Sequence, residues 1–155
     1  MSEPLLSPSS FLEVVRSTPL VSIDLILRNP AGEVLLGQRI NQPARGYWFV
    51  PGGRIRKNER LAEAFRRLAR EEVGQALELS DARFLGVFEH FYDTNFAGAA
   101  GVSTHYVVLG YQIQLAEPPA HLPGDQHHAY RWWSVEQLLA DENVHANTKR
   151  YFSTD

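Results

Sequence analysis

The segment YWFVPGGRIRKNERLAEAFRRLAREEVGQ, residues 47–75, limits the fold more than any other part of the chain. Tyr47 to Val50 reads as a short strand entering Pro51-Gly52-Gly53, which must turn. A helix is expected from about Glu59 to Val73, with Asn58 as its cap and Gly74 as its stop. Within that helix Leu61, Ala64, Phe65 and Leu68 recur at i, i+3, i+4 and i+7, the spacing of a stripe that faces a core. Glu63, Arg66 and Arg70 lie opposite, toward water. One turn further along the stripe stands Glu72, with Glu71 at its edge. Burying an unpaired charge costs roughly several kcal/mol, so Glu72 is expected to be neutralised by an arginine, a proton or a metal ion. The alternative is that the stripe ends before Glu72 and the acid points into water.

The flanking sequence gives this unit a sheet to pack on. Residues 20–39 alternate, turn at PAGE and alternate again, which predicts a hairpin. Residues 82–92 and 104–115 read as two long strands joined by the Gly- and Ala-rich DTNFAGAAGVS, a candidate lid. A second long loop, AEPPAHLPGDQHHA, precedes the extended YRWW. Ser10 can cap a first helix carrying Phe11, Val14 and Val15, Ser134 with Gln137 forms a capping box, and Asn143 can cap a last helix. The expected class is α+β, a mixed sheet flanked by helices, in one domain over 1–155.

Bulk properties narrow the function. Fifteen Lys and Arg against 18 Asp and Glu give a formal charge of −3, so neither nucleic acid nor an anionic membrane is an expected partner. Any anion handled here must meet local arginines. There is no cysteine, which removes thiolate metal sites and a Cys nucleophile and suits a reducing, cytoplasmic compartment. MSEPLLSPSS has no signal-peptide pattern and no apolar run is of bilayer length, so a soluble protein is expected.

The opening segment resembles the Nudix box: Gly, five residues, Glu, seven residues, Arg-Glu, an aliphatic residue, any residue, Glu-Glu, any residue, Gly and an aliphatic residue. Gly53, Glu59, Arg67, Glu71, Glu72 and Gly74 fall on it at the required spacing, and WFVPGG is similar to the family's approach to it. The resemblance implies an α/β/α sandwich that holds Mg²⁺ on carboxylates and hydrolyses nucleoside diphosphates linked to another group. Positions 68, 71 and 72 are i, i+3 and i+4, so acids there would converge on one hard cation. Two positions depart: Leu68 replaces the first of those acids and Gln75 replaces the last aliphatic residue.

VVRSTPLVS, GYWFVPGGR, HFYDTNF, THYVVLG, QHHAYRW and ENVHAN are similar to one branch, the GDP-mannose mannosyl hydrolases, which share the leucine. This second resemblance implies Mg²⁺, with Mn²⁺ as a substitute, on Glu72, Gln126 and the carbonyl of Gly52, and a general base at His127. It implies Arg39, Arg54, Arg67 and Tyr106 at the departing phosphates, Asp24 and His90 near the sugar, and a homodimer. Each residue also has a plainer role open to it. Arg39 could be a surface residue, Arg67 could orient Glu71 or Glu72, Tyr106 could be core, and Asp24 and His90 could be structural hydrogen-bonding groups. Glu59 suits the helix N-terminus and its dipole. The implied reaction is attack of water at the anomeric carbon of GDP-mannose, and of GDP-glucose as a second substrate, with inversion. Attack on phosphorus, as in a conventional pyrophosphohydrolase, and a non-catalytic nucleotide-sugar-binding module are the competing readings.

Overall fold

The computed structural model describes residues 5–119, 122 and 129–153. In chain order the elements are α1 (Pro8–Ser17), β1 (Leu20–Arg28), β2 (Val34–Gln38), β3 (Trp48–Phe49), β4 (Gly52–Arg54), α2 (Leu61–Val73) and a 3₁₀ turn (Leu79–Asp81). β5 (Arg83–Tyr92), β6 (Thr104–Gln114), β7 (Tyr130–Trp133), α3 (Val135–Ala140) and α4 (Ala146–Lys149) complete the chain. The seven strands form one mixed sheet in the order β3-β2-β1-β6-β5, with β4 also paired to β1 and β7 to β2.

The expected hairpin is present, β1 meeting β2 at Arg28 and Val34. Its turn is closed by Asn29, whose amide accepts from the Glu33 N–H and donates to the Glu33 carboxylate. β1 runs parallel to β6 over its whole length, while its first half also pairs antiparallel with β4. Residue parity along β1 then sorts the two faces. Ile23, Leu25 and Leu27 pack with Ala64, Phe65, Leu68, Ala69 and Val73 of α2 in one apolar cluster. Ile26 points the other way, into a second cluster with Trp133, Leu138 and Val144 beside α3 and α4. Helices on both faces make the α+β sandwich, and each large side chain fully buried in these layers contributes about 1.5–3 kcal/mol.

The helix boundaries differ from expectation in detail. α2 starts at Leu61, after Arg60, whose N–H donates to the Glu63 carboxylate. Asn58 does not cap it. With φ of 71°, Asn58 instead takes a left-handed turn conformation, which asparagine tolerates. Leu61 does not join the apolar stripe and is 41% exposed, because the helix meets the sheet only from Ala64 onward. Ser7, three residues ahead of Ser10, caps α1, and His145, not Asn143, caps α4 through Nδ1. The capping box at Ser134 and Gln137 is as expected. The Gly-Gly turn is itself strand: Gly52 and Gly53 pair with Asp24 and Ile23.

The connection between β5 and β6 is braced from inside. Asn95 is fully buried, its amide nitrogen donating to the carbonyls of Ala99 and Val102, both at 2.8 Å. Its amide oxygen accepts from the N–H groups of Ala97 and Ala99. Phe96 of the same loop packs on Phe11 of α1, ring centroids 4.9 Å apart. No helix among the described residues is long and apolar enough to cross a membrane.

Candidate active site

A cavity of about 350 Å³ opens where β1, β4, β5 and β6 meet the C-terminal end of α2. Asp24, Arg39, Gly52, Arg54, Glu72, His90 and Tyr106 all line it. These seven residues come from five strands or loops and one helix, so the fold gathers what the sequence scatters. Arg67 does not line the cavity among the described residues.

Arg67 is instead a brace. Its guanidinium makes two hydrogen bonds of 2.8 Å to the Glu59 carboxylate and reaches Glu71 at 3.1 Å and the Arg54 carbonyl at 3.0 Å. The pair is largely shielded from water, so Glu59 is held below the usual carboxylate range by Arg67, and the guanidinium is held above its ordinary value by Glu59. Glu59 therefore ties the turn after β4 to α2, through a bidentate contact.

Arg39 and Arg54 present a different picture, since neither has a carboxylate partner among the described residues. Arg39 donates to the Pro43 carbonyl at 2.7 Å and lies 4.8 Å over the Phe49 ring. Arg54 lies 4.3 Å over the Phe11 ring, and burial with nearby Arg56 and Arg67 pulls its pKa down. Two half-buried cations held on aromatic faces and left without an anion suit a phosphate-bearing ligand.

Asp24 faces the cavity from β1, and the sheet makes room for it. Its register partner in β4 is Gly52 and in β6 is Gly110. A Cβ on Gly52 would collide with Asp24 Oδ1 and the Ile23 carbonyl. Asp24 Oδ2 accepts a hydrogen bond of 2.6 Å from the Tyr151 hydroxyl. Burial lifts the Asp24 carboxyl to about 7, against the opposing pull of Tyr151 and Arg39. His90, on the same face two strands away, is 4% exposed, and its Nε2 is buried without a hydrogen-bond partner. Burial, with help from Arg150, His145 and Arg39, pushes its pKa down to about 4, so it meets a ligand as a neutral imidazole. Tyr106 lines the cavity and also packs beside Val15, Leu20 and Val102.

Glu72 is the carboxylate of α2 that reaches the cavity. It is half-buried and has no ion pair among the described residues, while neighbouring Glu71 is engaged by Arg67. Burial first, and Glu71 second, raise its carboxyl to about 7. A half-buried acid with no ion pair among the described residues, beside a backbone strand, fits a hard divalent cation, with the Gly52 carbonyl as a second oxygen from the same wall. The described residues contain no cluster of three or more acidic, His or Cys side chains for a metal, so Glu72 and the Gly52 carbonyl would need further ligands. Gln126, expected as one of them, lies outside the described residues, as do His127 and His128. Leu68, where a further acid would sit, is 2% exposed in the α2 cluster, and a Cβ on Gly53 would come within 2.5 Å of its Cδ2.

Three aromatic residues of the cavity lining, and Tyr151, which bonds Asp24 without lining the cavity, escape a reading of the sequence by motif. Tyr92 could have been found, since it follows His90 at i+2 and strands alternate. Phe11 sits on a helix that looks like scaffold, and Tyr130, whose hydroxyl donates to the Glu72 carbonyl at 2.8 Å, reads as core. Tyr151 comes from the far end of the chain and carries no local signal.

Comparison with known proteins places this geometry. Residues 18–154 match the family model described as the NUDIX domain. The low-salt glycan biosynthesis protein Agl8 of Haloferax volcanii is 48% identical over 103 residues, which cover 66% of this chain and 63% of that protein. An RNA pyrophosphohydrolase of Pseudomonas aeruginosa is 45% identical over 64 residues, 41% of this chain and 37% of its own length. These matches therefore span less than two thirds of either relative. Among solved structures, a MutT NUDIX hydrolase from Burkholderia pseudomallei superposes with a TM-score of 0.68 at 26% identity, covering 87% of this chain and 96% of that one. The MutT protein from Methanosarcina mazei Go1 gives 0.68 at 23% identity, covering 88% and 92%, which speaks to the fold alone.

Proposed function

Because the chain belongs to the Nudix family, with a leucine at position 68 of its box, we propose that it hydrolyses GDP-mannose to GDP and free mannose with a divalent cation, Mg²⁺, as cofactor. Water attacks the anomeric carbon with inversion, the C1–O bond breaks, and the electron pair leaves on the diphosphate. The observation that carries this reading is the burial of Leu68 in the core beside a cavity where Arg39 and Arg54 have no carboxylate partner among the described residues. α2 offers the cavity Glu72 for a metal but no acid at position 68 to prepare water next to phosphorus. The likeness to a glycan biosynthesis protein supports a sugar-linked substrate.

Each residue then has a defined task. Arg39 and Arg54 neutralise charge growing on the diphosphate, which needs no general acid to depart. Glu72, the Gly52 carbonyl and Gln126 would hold the cation, which would supply further stabilisation of that charge. Asp24 and neutral His90 hold hydroxyls of the hexose, and Tyr106 closes the leaving-group side. His127 takes the proton of the attacking water. That base must stand behind C1, with room for the water between them, so a carboxylate beside the metal would be badly placed for it.

Hydrolysis in ¹⁸O-labelled water with Mg²⁺ tests the bond that breaks. Label in free mannose, released first as the inverted anomer, is expected. Label in GDP, or release of mannose 1-phosphate, would show attack on phosphorus and overturn the reading. Tight binding without turnover would identify a binding module instead.

A further inference from the structure

Asp24 is built into the cavity by a device that spans the chain. Its carboxylate and the ring that holds it each need space above the sheet, and a glycine supplies that space on either side. Gly52 in β4 leaves room for Oδ1. Gly110 in β6 leaves room for Tyr151, whose Cε1 would lie 2.9 Å from a Cβ placed there. The Tyr151 ring is seated further by Phe88, centroids 4.5 Å apart and edge to face. Its hydroxyl is the one hydrogen-bond donor to the Asp24 carboxylate among the described residues. The same C-terminal turn braces neighbouring groups: Thr148 Oγ1 accepts from the Val50 N–H, and the His145 ring stacks on Phe49 at 4.8 Å.

We propose that Tyr151 is a positioning residue that holds one oxygen of Asp24 and so presents the other to the hexose, making the C-terminal turn the part of the protein that sets recognition of the sugar. This rests on the reading of the cavity as a nucleotide-sugar site with Asp24 at the sugar. A carboxylate free to rotate would satisfy a sugar hydroxyl only part of the time, whereas one tied at Oδ2 is pre-organised to accept. The effect belongs to the hexose and not to the nucleotide, because Arg39 and Arg54 stand on other aromatic rings, Phe49 and Phe11.

The test compares wild type, Tyr151→Phe, Gly110→Ala and Asp24→Asn for KM and kcat with GDP-mannose and for inhibition by GDP, which lacks the hexose. Tyr151→Phe keeps the ring and loses only the donor, so kcat/KM for GDP-mannose is expected to fall about 10-fold or more, as for loss of a hydrogen bond to a charged group. Inhibition by GDP should change less than about two-fold. Gly110→Ala, which displaces the ring, should reproduce this pattern, and Tyr151→Phe should add nothing in an Asp24→Asn background. Equal losses for GDP-mannose and GDP, or a full further loss in the Asp24→Asn background, would overturn the proposal. If wild type releases no mannose from GDP-mannose, the proposed reaction falls by itself. The positioning claim is then decided by a crystal structure of Tyr151→Phe, in which an unmoved Asp24 carboxylate would refute it and a rotated one would support it.

Discussion

The contact between Leu68 and Gly53 can be measured as a coupling energy. Leu68 is 2% exposed and belongs to the cluster under the sheet, so Leu68→Ala should cost about 2.7–5 kcal/mol from lost transfer energy plus the cavity left behind. Gly53→Ala places a methyl 2.5 Å from Leu68 Cδ2, about 1 Å inside the roughly 3.5–4 Å at which carbons rest. The leucine must shift within a packed layer, an overpacking cost of about 1–3 kcal/mol. The backbone contributes no extra strain, because Gly53 does not have a positive φ. In the double mutant the new methyl enters the space that the leucine vacated. The sum of the single losses should therefore exceed the double loss by about 1 kcal/mol or more, within the range for residues in contact. Urea unfolding at fixed protein concentration gives all four stabilities, with an unchanged m-value as the check that the denatured state is not involved. Losses that add to within about 0.5 kcal/mol would show that Leu68 is not seated on Gly53. Position 68 would then not be withdrawn from the cavity.

Other consequences can be checked separately. His90 has a pKa near 4 when folded against about 6.5 in an unfolded chain, so the unfolded state binds the proton first as pH falls. Stability contributed by neutral His90 is complete above pH 6.5 and declines by about 3 kcal/mol on approach to pH 4, and His90→Gln should flatten that part of the pH profile in denaturant titrations. Glu72→Gln should abolish the rise in melting temperature produced by Mg²⁺ in wild type, and an undiminished rise would place the metal elsewhere. His127→Gln should lower kcat by about two to four orders of magnitude with KM little changed, as for loss of a general base. If His128→Gln does so instead, the base is one residue further on.

Local pattern made most of the sheet readable. β1, β5 and β6 are β-rich runs of nine or more residues, and the strand, turn and helix unit declares itself through Gly52, Gly53 and Gly74. Helix ends were less legible because several good capping residues compete within three positions. Ser7 and Ser10 are chemically equivalent, and only the path of the chain into α1 decides between them. The cavity-lining acid of α2 was legible because Glu72 interrupts an apolar stripe. Asp24 and His90 were legible for the same reason on strands. Tyr151 was not, since its partner lies 127 residues away and nothing in YFST distinguishes a tyrosine that binds a carboxylate from one that fills a core. Arg67 shows the opposite case: a residue on the motif whose two carboxylates, Glu59 and Glu71, take up the guanidinium before it can reach the cavity.

Asn95 gives the loop between β5 and β6 a distinctive way to move. All of its amide's hydrogen-bonding capacity is spent on four contacts to the backbone of the same loop. A Gly- and Ala-rich segment would otherwise fray residue by residue. Here the amides of Ala97 and Ala99 are protected by one shared acceptor, so they exchange with solvent deuterium together, in a single opening event. The loop therefore behaves as one cooperative unit, and the contact of Phe96 with Phe11 carries any such opening to the helix on which Arg54 leans.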